Sequence, residues 1–167
     1  MAKAFEFYAG DHGAIADMVS MRFEGCDDFD ESCILARAAF RVHEPNGDIV
    51  LLADVIVPEM ARPDIEDDKQ PATVSNSMND LADNIDIIVS PGGDCYLMRQ
   101  QWVDEVAKLS ASRIEELAKT WRERCFNGFD DTSRPSLAEI VKGMSDMLHV
   151  CRTAVEKSVS VVYTWIP

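Results

Sequence analysis

The segment from residue 87 to 95, Ile-Ile-Val-Ser-Pro-Gly-Gly-Asp-Cys, contains the residue types that come nearest to a catalytic arrangement. The hydrophobic run predicts a strand, the glycines predict a turn, and we expect a helix to begin near Cys95. A helix N-terminus stabilises a thiolate, so this geometry would lower the pKa of Cys95 and make it a nucleophile. However, the spacing matches neither of the common phosphate-binding glycine motifs, and the turn has no basic residue. A loop with an incidental thiol is the simpler interpretation.

A nucleophilic cysteine would also need a general base, and the chain has three histidines, His12, His43 and His149. Nothing in their spacing places one of them beside Cys95. His12 follows Asp11 at a predicted helix start, where capping explains the pair, and His149 borders a hydrophobic stripe. We commit to no catalytic residue, and an enzyme centred on Cys95 with one of these histidines as base is the alternative hypothesis.

Acidic residues form two clusters in the first half of the chain. They are Asp27, Asp28, Asp30 and Glu31, followed by Asp64, Glu66, Asp67 and Asp68. Carboxylates bind divalent cations, but neither cluster has the spacing of a calcium-binding loop, so we expect no metal site and no cofactor. Solvated surface charge is the simplest interpretation, and docking of a basic protein is the functional one. We take these eight residues as the predicted partner-binding residues.

Net charge is distributed unevenly along the chain. Residues 1–98 contain 20 acidic and 6 basic residues, which accounts for the whole net charge of −14, whereas residues 99–167 contain 10 of each. A negative field repels nucleic acids and anionic membranes, so we expect direct binding to neither. It attracts a basic protein and accelerates the encounter with it.

Length and composition are those of a soluble globular protein. A chain of 167 residues, 47% hydrophobic and 28% charged, is predicted to fold as a single domain spanning 1–167. The five cysteines are scattered and include no C-x-x-C pair, which favours reduced thiols and a cytoplasmic location over disulfides or zinc. We expect neither a signal peptide nor a membrane-spanning segment.

The first part of the chain is predicted to form two strands and a helix before an acidic loop. Alternation at Phe5, Phe7 and Ala9 predicts a strand, and Asp11 is the expected cap of the helix that follows. Residues 33–42 and 49–57 are predicted to pair as a β-hairpin through Asn46-Gly47, since both residues tolerate a positive φ. The segment 59–72 contains two prolines and five acidic residues, which predicts an exposed acidic loop.

The middle of the chain is predicted to contain a strand among helices. A helix of about ten residues is expected near 74–82, followed by a strand at 85–89. Two helices should follow, the second beginning at a capping box formed by Ser112 and Glu115. Tryptophans fall at hydrophobic positions of predicted elements and are expected in the core: Trp102, Trp121 and Trp165.

The C-terminal part has the clearest pattern. Ser136 and Glu139 predict a capping box at the start of a long amphipathic helix. Hydrophobic residues follow at three- and four-residue steps: Leu137, Ile140, Val141, Met144, Met147, Leu148, Cys151 and Val155. The β-branched and aromatic run 159–166 predicts a strand, and we expect it at the centre of the sheet because an exposed hydrophobic edge invites aggregation.

These elements predict an α+β or mixed α/β domain of order β-α-β-β-α-β-α-α-α-β. It would have a mixed sheet of about five strands, including a hairpin, with four to five helices. The charge and the lack of a catalytic signature favour a non-enzymatic protein that binds a basic partner, such as an inhibitor, an immunity-type or an accessory protein. The Cys95 enzyme and a small-ligand-binding domain are the alternatives.

Overall fold

The computed structural model of the chain describes residues 3–23, 25–26, 30–42, 55–56, 82–90, 93–98, 100–126 and 134–166. Its regular elements, in chain order, are β1 (Lys3–Gly10), α1 (His12–Phe23), a 3₁₀ turn (Glu31–Cys33), β2 (Ile34–Val42), β3 (Ala82–Ser90), β4 (Gly93–Met98), α2 (Gln100–Ala107), α3 (Ala111–Cys125), α4 (Leu137–Lys157) and β5 (Ser160–Ile166). Residues 55 and 56 are helical.

The described strands form one five-stranded sheet of order β2-β1-β5-β4-β3. The C-terminal strand β5 lies at its centre, as predicted. Each described pair of neighbouring strands is antiparallel, so the sheet is not the mixed sheet that we expected. The combination of an antiparallel sheet with helices confirms the α+β fold class.

Helices cover both faces of the sheet. On one face α2, α3 and α4 pack over a core that includes Phe7, Phe40 and Tyr163. On the other face α1 contributes Ile15, Met18 and Val19 to a smaller core around Tyr8 and Val162. The opposite directions of Phe7 and Tyr8 follow from the two-residue period of a strand.

α4 begins and packs largely as predicted. Ser136 caps it, its hydroxyl accepting from the backbone N–H of Glu139 at 3.2 Å while the Glu139 carboxylate accepts from the Ser136 N–H at 2.7 Å. Buried residues of the predicted stripe include Ile140, Met144 and Met147, but Val155 is 45% exposed. At this end of α4 the core is contacted by the neighbouring Ala154, which is fully buried.

Two predicted elements of the first half need correction or lie outside the described residues. Strand β2 is present, but Val55 and Ile56, placed in the second strand of the predicted hairpin, are helical and buried in the larger core. β-branched composition is a weak guide where tertiary packing decides the backbone. The rest of that strand, the Asn46-Gly47 turn, the loop 59–72 and residues 74–81 of a predicted helix fall outside the described part. Ala82 already belongs to β3.

The predicted capping box at Ser112 is wrong. The cap of α3 is Ser110, whose hydroxyl accepts from the backbone N–H of Arg113 at 3.3 Å. Ser112 lies inside the first turn, with its hydroxyl 3.0 Å from that of Ser110. The capping-box pattern favoured Ser112 because Glu115 follows it at three residues, whereas the position three residues after Ser110 is Arg113. The helix begins at a cap without a capping box, which that pattern does not detect. The predicted core positions of Trp102 and Trp121 are confirmed.

Candidate functional site

Three exposed carboxylates lie near one another at the connection between β1 and α1 and in the 3₁₀ turn that precedes β2. Asp11 caps α1 by accepting from the backbone N–H of Ala14 at 2.9 Å, which confirms its predicted role. Asp30 caps the 3₁₀ turn by accepting from the N–H of Ser32 at 2.8 Å and from its hydroxyl at 2.7 Å. Glu31 is exposed in the same turn. We call Asp11, Asp30 and Glu31 the acidic turn.

The electrostatics of Cys33 show that these carboxylates share one neighbourhood. The pKa of the Cys33 thiol is raised, mainly by burial and further by the negative charges of Asp30, Asp11 and Glu31. Hydrogen bonds from Ser32 instead lower the pKa of Asp30, which keeps that carboxyl ionised. The acidic turn therefore presents negative charge on defined backbone positions.

Of the eight predicted partner-binding residues, Asp30 and Glu31 are described, and both are exposed. The structure adds Asp11 to them, a residue that the charge clusters in the sequence did not include. The remaining predicted positions lie outside the described residues: Asp27, Asp28, Asp64, Glu66, Asp67 and Asp68. Their role in binding stays a prediction.

A second polar group lies on the α1 face of the sheet and was not predicted. The Glu6 carboxylate is 6% exposed and forms ion pairs with two arginines, with Arg22 of α1 at 2.8 Å and with Arg37 of β2. The Tyr8 hydroxyl donates to Glu6 and accepts from Arg22 at 3.4 Å. The Arg37 guanidinium lies 5.6 Å from the centre of the Tyr8 ring. We call these four residues the Glu6 cluster.

The Glu6 cluster is not explained by stability alone. A buried ion pair must offset the loss of hydration of its charges, so hydrophobic residues of similar size are often as stabilising. Thr164, opposite Glu6 on β5, is also buried, and among the described residues its hydroxyl has no hydrogen-bond partner. A polar strip thus crosses the sheet beneath α1.

Alkaline unfolding tests the environment of Tyr8. Burial, followed by the hydrogen bond and charge of Glu6, raises the pKa of Tyr8 well above its ordinary value. The unfolded chain ionises this phenol near pH 10 while the folded chain keeps it protonated, so its stabilising contribution is lost as the pH rises above about 10. Tyr8→Phe should unfold more easily in urea at pH 8 but lose stability less steeply between about pH 10 and 11. If the free energy of unfolding fell equally steeply with pH in Tyr8→Phe and in the parent protein, the buried environment described for Tyr8 would be contradicted.

Cys95 does not have the expected geometry. It lies within β4, paired with Thr164 of β5 and Ile88 of β3, and no helix begins there. Its side chain is buried beside Val162, and burial raises the pKa of the thiol to about 12. The prediction of a thiolate stabilised by a helix N-terminus is therefore wrong, because a buried apolar site favours the neutral thiol.

The accessibility of the cysteines predicts how fast each reacts. Cys26 is exposed, whereas Cys95 and Cys151 are buried and burial raises the pKa of both thiols. With iodoacetamide at pH 8, Cys26 should be modified at least about tenfold faster than either buried residue. Peptide mass spectrometry over a time course measures the modification rate of each cysteine. In urea the three cysteines should be modified at similar rates. Fast, selective modification of Cys95 in the folded protein would contradict the structure and restore the enzyme hypothesis.

The histidines provide no partner for that thiol in the described part of the chain. His12 is the first residue of α1 and His149 lies on α4, and both are exposed. His43 is outside the described residues. Within the described ranges no group of three or more His, Cys, Asp or Glu residues is arranged to hold a metal ion. No described helix has the length and hydrophobicity to cross a membrane.

Two surface grooves bear on the small-ligand hypothesis. One, of about 530 Å³, lies between α2 and α4 and is lined by Asp104, Ala107, Lys108, Arg152, Val155 and Glu156. The other, of about 300 Å³, is lined by Gln100, Ala154, Val155, Ser158, Val159 and Ser160. Arg152 already donates to the backbone oxygens of Ala107 and Leu109, at 3.0 and 2.8 Å. This arginine caps the end of α2, which gives it a structural role in the groove.

No family model matches the chain, and no curated protein or solved structure is significantly similar to it. The chemistry of the described residues is therefore the basis for a functional proposal.

Proposed function

We propose that the chain is a non-enzymatic, acidic protein of the cytoplasm that binds a basic protein, as an inhibitor, an immunity-type or an accessory protein. The observation that carries the proposal is the confinement of the net charge of −14 to residues 1–98. The acidic turn belongs to this part of the chain and is exposed. Charge of one sign on one part of a surface steers an oppositely charged partner towards it.

The acidic turn is suited to such a partner because two of its three carboxylates are held in place by hydrogen bonds and not by ion pairs. Asp11 and Asp30 accept hydrogen bonds from uncharged backbone and hydroxyl groups. Among the described residues, no lysine or arginine forms an ion pair with Asp11, Asp30 or Glu31. A basic residue of a partner would thus find two carboxylates, those of Asp11 and Asp30, with little side-chain entropy left to lose.

The two alternatives have less support. An enzyme centred on Cys95 would require ionisation of a buried thiol whose pKa is raised to about 12. Of the two grooves in the described part of the chain, the larger is lined by Arg152, which is already engaged by backbone carbonyls, and the smaller is lined by no charged residue. Binding of a basic protein through surface charge needs neither a reactive thiol nor a ligand groove.

Capture from a lysate of the source cell, at low and at high salt, tests for the partner. The proposal predicts one basic protein recovered in stoichiometric amount at low salt and depleted at high salt, because exposed charge pairs are screened. Recovery of no protein at either salt would contradict it.

Charge-neutralising variants then test the surface. Asp11→Asn, Asp30→Asn and Glu31→Gln, combined, remove three charges while the asparagines keep their capping oxygens. At low salt this variant should bind the captured partner at least about tenfold more weakly, a difference that high salt abolishes. The matched control carries Glu115→Gln, Glu116→Gln and Glu123→Gln, all exposed on α3 in the charge-balanced part of the chain. An equal loss of affinity in both variants would argue against a specific acidic surface.

A further inference from the structure

The Glu6 cluster brings two guanidinium groups to one carboxylate at the surface of an otherwise acidic protein. Arg22 and Arg37 come from α1 and β2, and their side chains are 37% and 42% exposed, whereas Glu6 is 6% exposed. Because Tyr8 stays protonated, the two arginines carry one positive charge more than Glu6, although the Glu31 carboxylate of the acidic turn also acts electrostatically on Arg37. This excess faces solvent, where an anion can reach it.

Each guanidinium group also has hydrogen-bond donors to spare. Arg22 donates through Nη1 to Glu6 and Tyr8, and Arg37 donates through Nη2 to Glu6. Among the described residues, the Nε and the second Nη of each arginine have no hydrogen-bond acceptor. In Arg22 the free Nε–H and Nη2–H groups are adjacent and form the fork with which arginine binds an oxyanion. In Arg37 the free groups, Nε–H and Nη1–H, are single donors that point in different directions, because Nη2 is the neighbour of Nε and donates to Glu6.

The two guanidinium groups are held in position before any ligand arrives. Glu6 accepts from both arginines, one on each carboxylate oxygen, and Tyr8 donates to the same carboxylate. The Tyr8 ring lies beneath the Arg37 guanidinium. A buried carboxylate and a buried ring therefore restrict two side chains that are otherwise among the most flexible in proteins.

We propose that Arg22 and Arg37 form an oxyanion site that takes a phosphate group, either free phosphate or a phosphate monoester. Glu6 and Tyr8 are its positioning residues. A phosphate group has three or more terminal oxygens, so it can accept from both guanidinium groups while each keeps its bond to Glu6.

The neighbouring residues favour a monoester over free phosphate. Only three large hydrophobic side chains are exposed among the described residues, and two of them flank the arginines: Met21 precedes Arg22, and Leu35 lies two residues before Arg37 on β2. Hydrophobic surface beside a charged site suits the organic part of an ester.

NMR of the full chain tests the site, with inorganic phosphate and phenyl phosphate as the probes. Both are titrated at constant ionic strength, with sodium chloride as the balancing salt, while the Nε–H signals of Arg22 and Arg37 are followed. The proposal predicts saturable shifts of both signals. Tighter binding of phenyl phosphate identifies a monoester as the ligand, and equal binding identifies free phosphate.

Lysine variants distinguish the fork from simple charge. Arg37→Lys keeps the ion pair with Glu6 but loses the planar guanidinium group with its free donors, and it should weaken binding about tenfold. Arg22→Lys should do the same and serves as the second variant if the first fails to fold. The control is Arg41→Gln, an exposed arginine on the same face of β2, which should leave binding unchanged. Shifts that do not saturate, or equal weakening in Arg41→Gln and Arg37→Lys, would overturn the proposal.

Discussion

Replacing Gly10 by alanine is expected to lower the free energy of unfolding by more than about 3 kcal/mol. A Cβ atom at this position would lie 2.1 Å from the carbonyl oxygen of Cys33 and 3.0 Å from the Cδ1 atom of Ile15. The oxygen belongs to the last residue of the 3₁₀ turn, directly before β2, and the pairing of β1 with β2 shifts register between Ala9 and Gly10. It cannot move without disturbing both the strand pairing and the acidic turn.

Gly13→Ala is the matched control for Gly10→Ala. Gly13 is the second residue of α1, and an added Cβ would make only ordinary contact, 3.4 Å from the Asp11 carboxylate. Alanine favours the helix, so stability should be unchanged or increase by up to about 1 kcal/mol. Urea unfolding of both variants measures the difference. A loss below about 1 kcal/mol in Gly10→Ala would show that the two strands do not approach each other as described.

Trp121→Ala should have a comparable effect, a loss of about 3–5 kcal/mol in the free energy of unfolding. Trp121 is fully buried on α3, with its ring in edge-to-face contact with Phe40 of β2 at 6.2 Å and with Phe126 at 6.0 Å. Truncation removes the largest side chain that ties α3 to the sheet and leaves a cavity that a rigid strand cannot close.

The control for the tryptophan is Val155→Ala on α4. Val155 is 45% exposed, so its truncation should change the unfolding free energy by no more than about 0.5 kcal/mol. Equilibrium urea denaturation followed by circular dichroism compares the two, because the probe does not depend on the tryptophan that is removed. A similar small effect for Trp121→Ala would mean that α3 does not pack on β2.

Features of the fold that depend on neighbouring residues could be predicted from the sequence. The capping box of Ser136 and Glu139 needs only residues three apart, and it is present. The cap by Asp11 is equally local. The central position of β5 followed from its own composition, since a strand that is largely hydrophobic invites aggregation when it lies at an exposed edge.

Cys95 shows where this reasoning fails. Its position depends on pairing with β3 and with β5, and β5 lies about seventy residues further along the chain. Glycines before a hydrophobic run are compatible with both a helix start and a hairpin. Cys95 and Leu97 belong to the smaller core, and Tyr96 and Met98 belong to the larger one. This two-residue period is the signal that favours a strand.

The Glu6 cluster could not be predicted for a related reason. Glu6 and Tyr8 share a strand face by their spacing, but Arg22 and Arg37 reach them only because α1 crosses that face and β2 pairs with β1. The one available signal was an acidic residue inside an otherwise hydrophobic strand. A buried acidic residue requires hydrogen-bond or ion-pair partners, but the sequence does not show which residues these are.

The most direct test of the proposed function is the association rate constant with the captured basic partner, measured by stopped flow as a function of ionic strength. If the charge of residues 1–98 steers binding, the rate constant should fall at least about tenfold between low salt and about 0.3 M, with a shallower slope for the variant of the acidic turn. A rate constant that does not change with ionic strength would contradict the proposal.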